Sequence, residues 1–239
     1  MEIDVILTPA EIALLPQRNL SETTCVVFDV LRATSSIVTA LANGAREIFP
    51  VRTIEEALAL KQKLPTAALG GERQGERIDG FEFGNSPLEY RENVPAQIIT
   101  TTTNGTVGLR ACDGAAETLV AAILNLDATC CRIVAAPYVL VVCAGTFESP
   151  AAEDVLAAGM LCAQFPGATL TDSAQVALGY FTSRSDDIRS ALRQTRNGRA
   201  LYAKGRGAEI DWCARHSIYP VVGIQRDGKV EPAEDQCID

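Results

Sequence analysis

Acids, arginines and hydroxyl residues recur in this chain where apolar runs end. In TCVVFDVLRATSS (residues 24–36), Asp29 comes near the end of the run, and Arg32, Thr34 and Ser35 follow it. An acid and an arginine so placed can hold a cation and an anion together. They can equally form a salt bridge tying a strand to the next helix, with Thr34 only a cap, and the residues alone weigh the two readings about evenly. The segment GGERQGERIDGFEFGNSP (residues 70–87) brings Glu72, Arg73, Asn85 and Ser86 among five glycines, one of them Gly80. Glycines let a backbone approach a ligand or turn tightly, and Phe81 and Phe83 give this segment apolar anchors, so it reads as an ordered opening loop.

Two further clusters have the same form. TTTTNGT (residues 100–106) follows two isoleucines, and Asn104-Gly105 gives a tight turn whose N–H groups can face an oxyanion, with Thr103 and Thr106 on either side. Asn-Gly is also common in plain turns, so this signal alone is weak. Gly145, Thr146, Glu148, Glu153 and Asp154 follow the apolar run YVLVVC. Acids in the first turn of a helix favour its dipole whatever else they do, and that plain reading outweighs a functional one for Glu153 and Asp154.

Carboxylates mixed with arginines and hydroxyls suit Mg²⁺-assisted chemistry on a small phosphorylated acid. Mg²⁺ takes carboxylate oxygens, keeps waters and works beside phosphate, which arginine grips in a planar fork. The phosphate loop GxxxxGK[ST], the GxSxG elbow and an early GxGxxG are all absent from the sequence.

Apolar runs alternating with helical patterns must position these clusters. Residues 3–7, 24–30, 47–51, 66–70, 96–103, 138–146 and 218–224 read as strands. Helices are expected after Thr34, after Thr53 with Glu56 completing a capping box, after Asn104, over 148–165, and through 173–181 and 186–205. The pattern predicts an α/β fold, layered α/β/α with a mixed or mainly parallel sheet. It is read as a single α/β domain over residues 1–239, or two closely packed subdomains. Ligands in such folds collect at the carboxyl ends of parallel strands, where all four clusters fall.

Composition narrows the partners. At 47% hydrophobic residues a sizeable core is available, and a net charge of −9 argues against nucleic acid or anionic membrane. A small anionic substrate stays open, because local arginines or a cation can reverse the field within one pocket. Acids at the N-terminus and the lack of a long apolar run predict a soluble, cytoplasmic protein. Cys25, Cys143 and Cys162 sit in apolar runs as small hydrophobes, and with one histidine, His216, a zinc site is not expected. An exposed apolar helix face would pair protomers as a homodimer.

VVFDVLRATSSIVTALANGA, LGGERQGERIDGFEFGNSPLEY and TTTNGT, in this order, closely resemble the 2-phosphosulfolactate phosphatase (ComB) family of coenzyme M biosynthesis. The resemblance is dense from Thr24 to Leu109 and continues more thinly to GAEIDWCARHSIYPVV. It implies a Mg²⁺-dependent phosphatase that converts 2-phospho-3-sulfolactate to 3-sulfolactate and phosphate. It also implies an α/β/α fold distinct from haloacid dehalogenase-like phosphatases, whose DxDx[TV] is not matched by Asp29-Val30-Leu31. The matched blocks carry over Asp29, Arg32, Thr34, Ser35, Glu72, Arg73, Gly80, Asn85, Ser86, Thr103, Asn104, Gly105 and Thr106, and more loosely Glu153 and Asp154. On that footing Asp29, Arg32, Glu72 and Asn104 are the expected catalytic set. Mg²⁺ would lie between Asp29 and a second acid, Glu72 first and Glu153 or Asp154 next. Arg32 and Arg73 would grip acidic oxygens, and direct attack by water is preferred to an aspartyl-phosphate. Family sequences tend to carry an acid near the position of His216, which bears on ligand preference. The alternatives are a phosphatase for another small phosphorylated hydroxy acid, and a noncatalytic small-anion binding protein.

Overall fold

The structure is a computed structural model and describes residues 1–234. In chain order its strands are β1 (Glu2–Ile6), β2 (Thr24–Phe28), β3 (Glu47–Pro50), β4 (Ala68–Arg73), β5 (Glu76–Arg77), β6 (Gln97–Thr101), β7 (Glu117–Ala121), β8 (Tyr138–Cys143), β9 (Thr169–Leu170), β10 (Gly223–Arg226) and β11 (Lys229–Pro232). The helices are α1 (Pro9–Ile12), α2 (Ala33–Ala42), α3 (Ile54–Lys63), α4 (Gly105–Ala111), α5 (Leu126–Ile133), α6 (Ala152–Ala163), α7 (Asp172–Thr182), α8 (Ile188–Gln194), α9 (Arg196–Ala203) and α10 (Gly207–Cys213). None of the described helices is long and apolar enough to cross a membrane.

The strands form one mixed sheet in the order β5-β4-β6-β3-β11-β10-β7-β2-β8-β1-β9. Parallel pairing joins β4, β6 and β3 in one block and β7, β2, β8, β1 and β9 in another. Between them the β10–β11 hairpin pairs antiparallel on both sides and within itself. Three antiparallel steps leave the two blocks running in opposite senses. Strand twist of roughly 20–25° per step accumulates to roughly 120–150° over the six steps from β2 to β4 and offsets most of that reversal.

The sheet also curls. Laid flat, β2 and β4 would lie about 29 Å apart at about 4.8 Å per strand. Instead α2 and α4 fill a shared middle layer. Cys25 and Val27 of β2, Leu140 and Val142 of β8, Ile48 of β3 and Ile98 of β6 pack there with Ile37, Leu41 and Leu109. The alternate residues Val26, Phe28, Val139 and Val141 point the other way, into a core with α6, α7 and α8. A third core sets α3 against β6 and β4 through Ala57, Ile99 and Leu69. Period-two alternation thus builds the layers. Helix α2 is buried all round, the setting an enclosed helix requires. Its hydroxyls bond to backbone, Ser35 to the Val30 carbonyl, Ser36 to that of Asn85 and Thr39 to that of Ser35.

Local chemistry explains where sequence and structure part. The expected strand over 66–70 continues to Arg73, so the opening of the glycine-rich segment is strand rather than loop. Gly71, at φ +140°, permits this: a Cβ there would lie 2.1 Å from the Thr101 carbonyl oxygen on β6. Gln74 and Gly75 then turn with positive φ, and the chain returns as β5. Thr53 caps α3 as expected, accepting the Glu56 N–H at 3.1 Å, but the Glu56 carboxylate accepts from Arg52. The long helical stretch over 186–205 divides at Thr195, which caps α9 by accepting the Gly198 N–H. Helix α10 and strand β11 carry no clear period in the sequence and were not anticipated. Cys25, Cys143 and Cys162 are free and buried, as read.

Candidate active site

A cavity of about 880 Å³ opens where β2, β4, β6 and β8 end. Asp29, Arg32, Glu72, Arg73, Asn85, Thr103, Asn104 and Asp154 all line it. The four clusters expected at strand ends therefore meet in one place, although β4 and β2 belong to opposite blocks of the sheet.

Asp29 follows β2 directly. Its Oδ1 accepts the Ala33 N–H at 3.1 Å, and its own N–H donates to Thr34 Oγ1 at 3.0 Å. Thr34 and Ser35 are buried and hold this turn together, so neither lines the cavity. The close approach of the next wall depends on Gly105: a Cβ there would lie 2.6 Å from Ala33 Cβ and 2.8 Å from Asp29 Oδ2. Gly105 is thus a spacer beside the acid. Thr106 is fully buried and exchanges hydrogen bonds with Thr102 at 3.1–3.3 Å, fixing the turn from behind. Ser86 is likewise buried away from the cavity, and Gly80 is exposed elsewhere on its loop.

Glu72, at the end of β4, ties two walls. One oxygen accepts the Thr103 N–H at 2.8 Å and the Thr103 hydroxyl at 2.9 Å; the other accepts the Gly75 N–H at 2.7 Å. Arg73 donates to the Glu72 carbonyl at 2.7 Å and to Thr101 Oγ1 at 2.9 Å, neutral acceptors that leave its charge available. Arg32 differs. Its Nη1 donates to Glu209 Oε2 at 2.5 Å, and its Nη2 to the Gly75 carbonyl at 3.0 Å. Arg32 lines the cavity, but its ion pair is with Glu209 rather than with Asp29, the acid beside which the sequence weighed a salt bridge, and most of its charge is met there.

Asp154 departs most from its plain reading. It is buried, and it reaches back to accept the Val30 N–H at 2.8 Å and the Gly145 N–H at 3.1 Å. Glu153 lies behind the cavity wall, where Oε1 accepts from Asn197 at 2.5 Å and Oε2 has no partner among the described residues. These acids act on one another. Burial, with repulsion from Glu72 and Glu153, pushes the Asp29 carboxyl up to about 7 against the opposing Ala33 amide and Arg32. Burial first, then the Asp29 and Glu153 charges, raise Asp154 well above the ordinary carboxylate range, and burial raises Glu153.

No group of three or more His, Cys, Asp or Glu side chains forms a ready-made metal cage among the described residues. The donor set nevertheless fits a Mg²⁺-like ion. Mg²⁺ commonly uses only one or two carboxylates plus waters and substrate phosphate. A cation here would relieve the mutual repulsion of these acids. His216 plays no part in this cavity: it lies near Asp127, 3.5 Å away, with both side chains exposed.

One wall of the cavity carries little signature in the sequence. Phe147, Arg196, Asn197, Ala200 and Lys204 also line the cavity, and Glu209 stands behind Arg32. The signal available was Thr195 as a cap with Arg196 and Asn197 directly after it, three polar residues opening a short helix.

Comparison with known proteins identifies the family. The family model described as "2-phosphosulpholactate phosphatase" matches residues 9–228. The chain belongs to the 2-phosphosulpholactate phosphatase family. It is similar to a "Probable 2-phosphosulfolactate phosphatase" of Clostridium acetobutylicum, 34% identical over 96% of this chain and 100% of that one. A protein of the same description from Pseudothermotoga lettingae is 37% identical over 90% of this chain and 94% of its own. One from Thermotoga maritima is 38% identical over 83% and 87%. The 2-phosphosulpholactate phosphatase match spans Asp29, Glu72, Asn104 and Asp154, so the whole cavity lies inside it.

Proposed function

We propose that this protein is a Mg²⁺-dependent phosphatase acting on 2-phosphosulfolactate, or on a closely related phosphorylated hydroxy acid. The observation that carries the proposal is the meeting of Asp29, Glu72, Asn104 and Asp154 with Arg73 in one cavity. The likeness to relatives described as probable 2-phosphosulfolactate phosphatases supports the substrate.

Asp29 and one second acid, Glu72 or Asp154, would hold the cation, with the remaining acids adding charge around it. Such an ion, when bound, would supply charge neutralisation and lower the pKa of a water. The chain does the rest. Arg73 and the Asn104 turn orient the phosphoryl group and meet the charge that builds on it. Glu72, fixed by Thr103 and Gly75, keeps the β4 and β6 walls at constant separation. A water oxygen forms the new P–O bond as the bond from phosphorus to the substrate's C2 oxygen breaks. The electron pair of the broken bond stays on that oxygen. One water proton ends there and the other on inorganic phosphate, giving 3-sulfolactate and phosphate.

Arg32 is a positioning residue in this scheme. Phosphate release from 2-phosphosulfolactate, 2-phospholactate and 2-phosphoglycolate, with Mg²⁺ and with chelator, tests the proposal. Steady release that ceases on chelation supports it; binding without release identifies an anion-binding protein.

A further inference from the structure

The cations lining the cavity are not equivalent. Arg32 is paired with Glu209, and Lys204 with Glu76 at 2.6 Å. Arg73 is tied to neutral oxygens beside Glu72. Arg196 alone among them has no ion pair and no side-chain hydrogen bond among the described residues; its guanidinium lies 4.7 Å from the centre of the Phe147 ring. A guanidinium on an aromatic face is desolvated on one side and fixed in plane, while its N–H edge stays free for an anion.

The seat itself is unusual. Phe147 is 65% exposed and has a backbone φ of +55°, a region that bulky side chains rarely enter. Reciprocal backbone bonds between Thr146 and Ser149, at 2.9 and 3.1 Å, hold the turn that presents it. The residue after Arg196 anchors the helix: Asn197 donates to Thr146 Oγ1 at 2.7 Å and to Glu153 Oε1 at 2.5 Å. Arg196 therefore stands in a fixed relation to the acid cluster. That cluster would repel any second negative group on the substrate left without a cation of its own.

We infer that Arg196, seated on Phe147, receives the acidic substituent on the substrate's carbon skeleton, while the carboxylate end of the cavity handles the phosphoryl group. The inference rests on the phosphatase reading above. Arg196 is the specificity-determining residue, and Phe147 positions it. Sulfonate and carboxylate share the recognising chemistry, and the choice of substrates separates them.

Kinetics of Arg196→Gln and Phe147→Leu test this on 2-phosphosulfolactate, 2-phospholactate and p-nitrophenyl phosphate, which has no acidic substituent. Arg196 is exposed, so its replacement does not threaten the fold. For Arg196→Gln the KM for 2-phosphosulfolactate should rise about tenfold or more, the worth of a charged hydrogen bond, with kcat far less affected. The rise should be much smaller for p-nitrophenyl phosphate, and Phe147→Leu should fall between wild type and Arg196→Gln. A larger rise with 2-phosphosulfolactate than with 2-phospholactate assigns the sulfonate; equal rises assign the carboxylate. An unchanged KM for 2-phosphosulfolactate, or an equal rise with p-nitrophenyl phosphate, overturns the inference. If the wild type releases no phosphate from any of them, the phosphatase reading fails. Calorimetric titration with 3-sulfolactate then decides the role of Arg196: weaker binding to Arg196→Gln supports it, and equal binding refutes it.

Discussion

The Arg32 guanidinium donates to Glu209 Oε2 at 2.5 Å, and both side chains are almost wholly out of solvent. The other Glu209 oxygen accepts from Arg206 at 2.7 Å, and both arginines donate to the Gly75 carbonyl. One carboxylate on α10 thereby fastens the β4–β5 turn over the cavity. Removing one member of a buried ion pair leaves the other charged and unmet, which costs about 3–5 kcal/mol. Glu209→Gln should lose stability of that order in urea unfolding and raise KM as the turn loosens. Glu209→Asp should recover part of both.

Asp29→Asn should separate activity from stability. Turnover is expected to vanish, while the metal-free protein becomes more stable. The native carboxylate is held at about 7 rather than its ordinary 3.8, so ionising it in place opposes folding by on the order of a few kcal/mol. Phosphate release and thermal melting in chelator are the two measurements. A variant that unfolds instead would make Asp29 a structural partner of Arg32.

The same shift sets a pH dependence. An acid whose folded pKa lies above its unfolded value binds its proton more tightly when folded, so stability falls as pH rises from about 4 towards 7. Glu153 and Asp154 are shifted in the same direction. Melting in chelator should therefore drop across that window, and Mg²⁺ should restore most of the loss near pH 7 by binding only the folded protein. A flat profile without metal would argue that the acids are not mutually strained.

Gly105→Ala puts a methyl group against Ala33 and the Asp29 carboxylate, at 2.6 and 2.8 Å in the present geometry. Overpacking of this kind costs about 1–3 kcal/mol. Activity should fall much further than stability, because the displaced group is Asp29. Comparing kcat with the unfolding midpoint checks it.

The strand ends were readable because short apolar runs closed by polar residues mark buried strands, as at Phe28-Asp29 and Thr101-Thr102-Thr103. The convergence of those ends was not. It depends on curl and twist, and on a β10–β11 hairpin whose second strand, KVEP, has no distinctive pattern. Hydroxyls were overread for a related reason. Thr34, Ser35 and Thr106 look like ligand donors in one dimension, but each closes a backbone bond inside a tight turn. Asp154 was underread, since its position in the first turn of α6 explains an acid without reference to the Val30 and Gly145 amides it accepts. Arg196 leaves little mark in the sequence, because its lack of an ion pair among the described residues and its seat on Phe147 are properties of the fold.

The hairpin that joins the two parallel blocks comes from the last of the described strands. A ribosome delivers β10 and β11 after every strand they join, so the halves that carry Asp29 and Glu72 must wait, side by side and unsealed, until residues 223–232 emerge. Pairing across such long sequence separations is slow. The emerging chain must therefore keep the edges of β7 and β3 shielded from other partners until this seam closes.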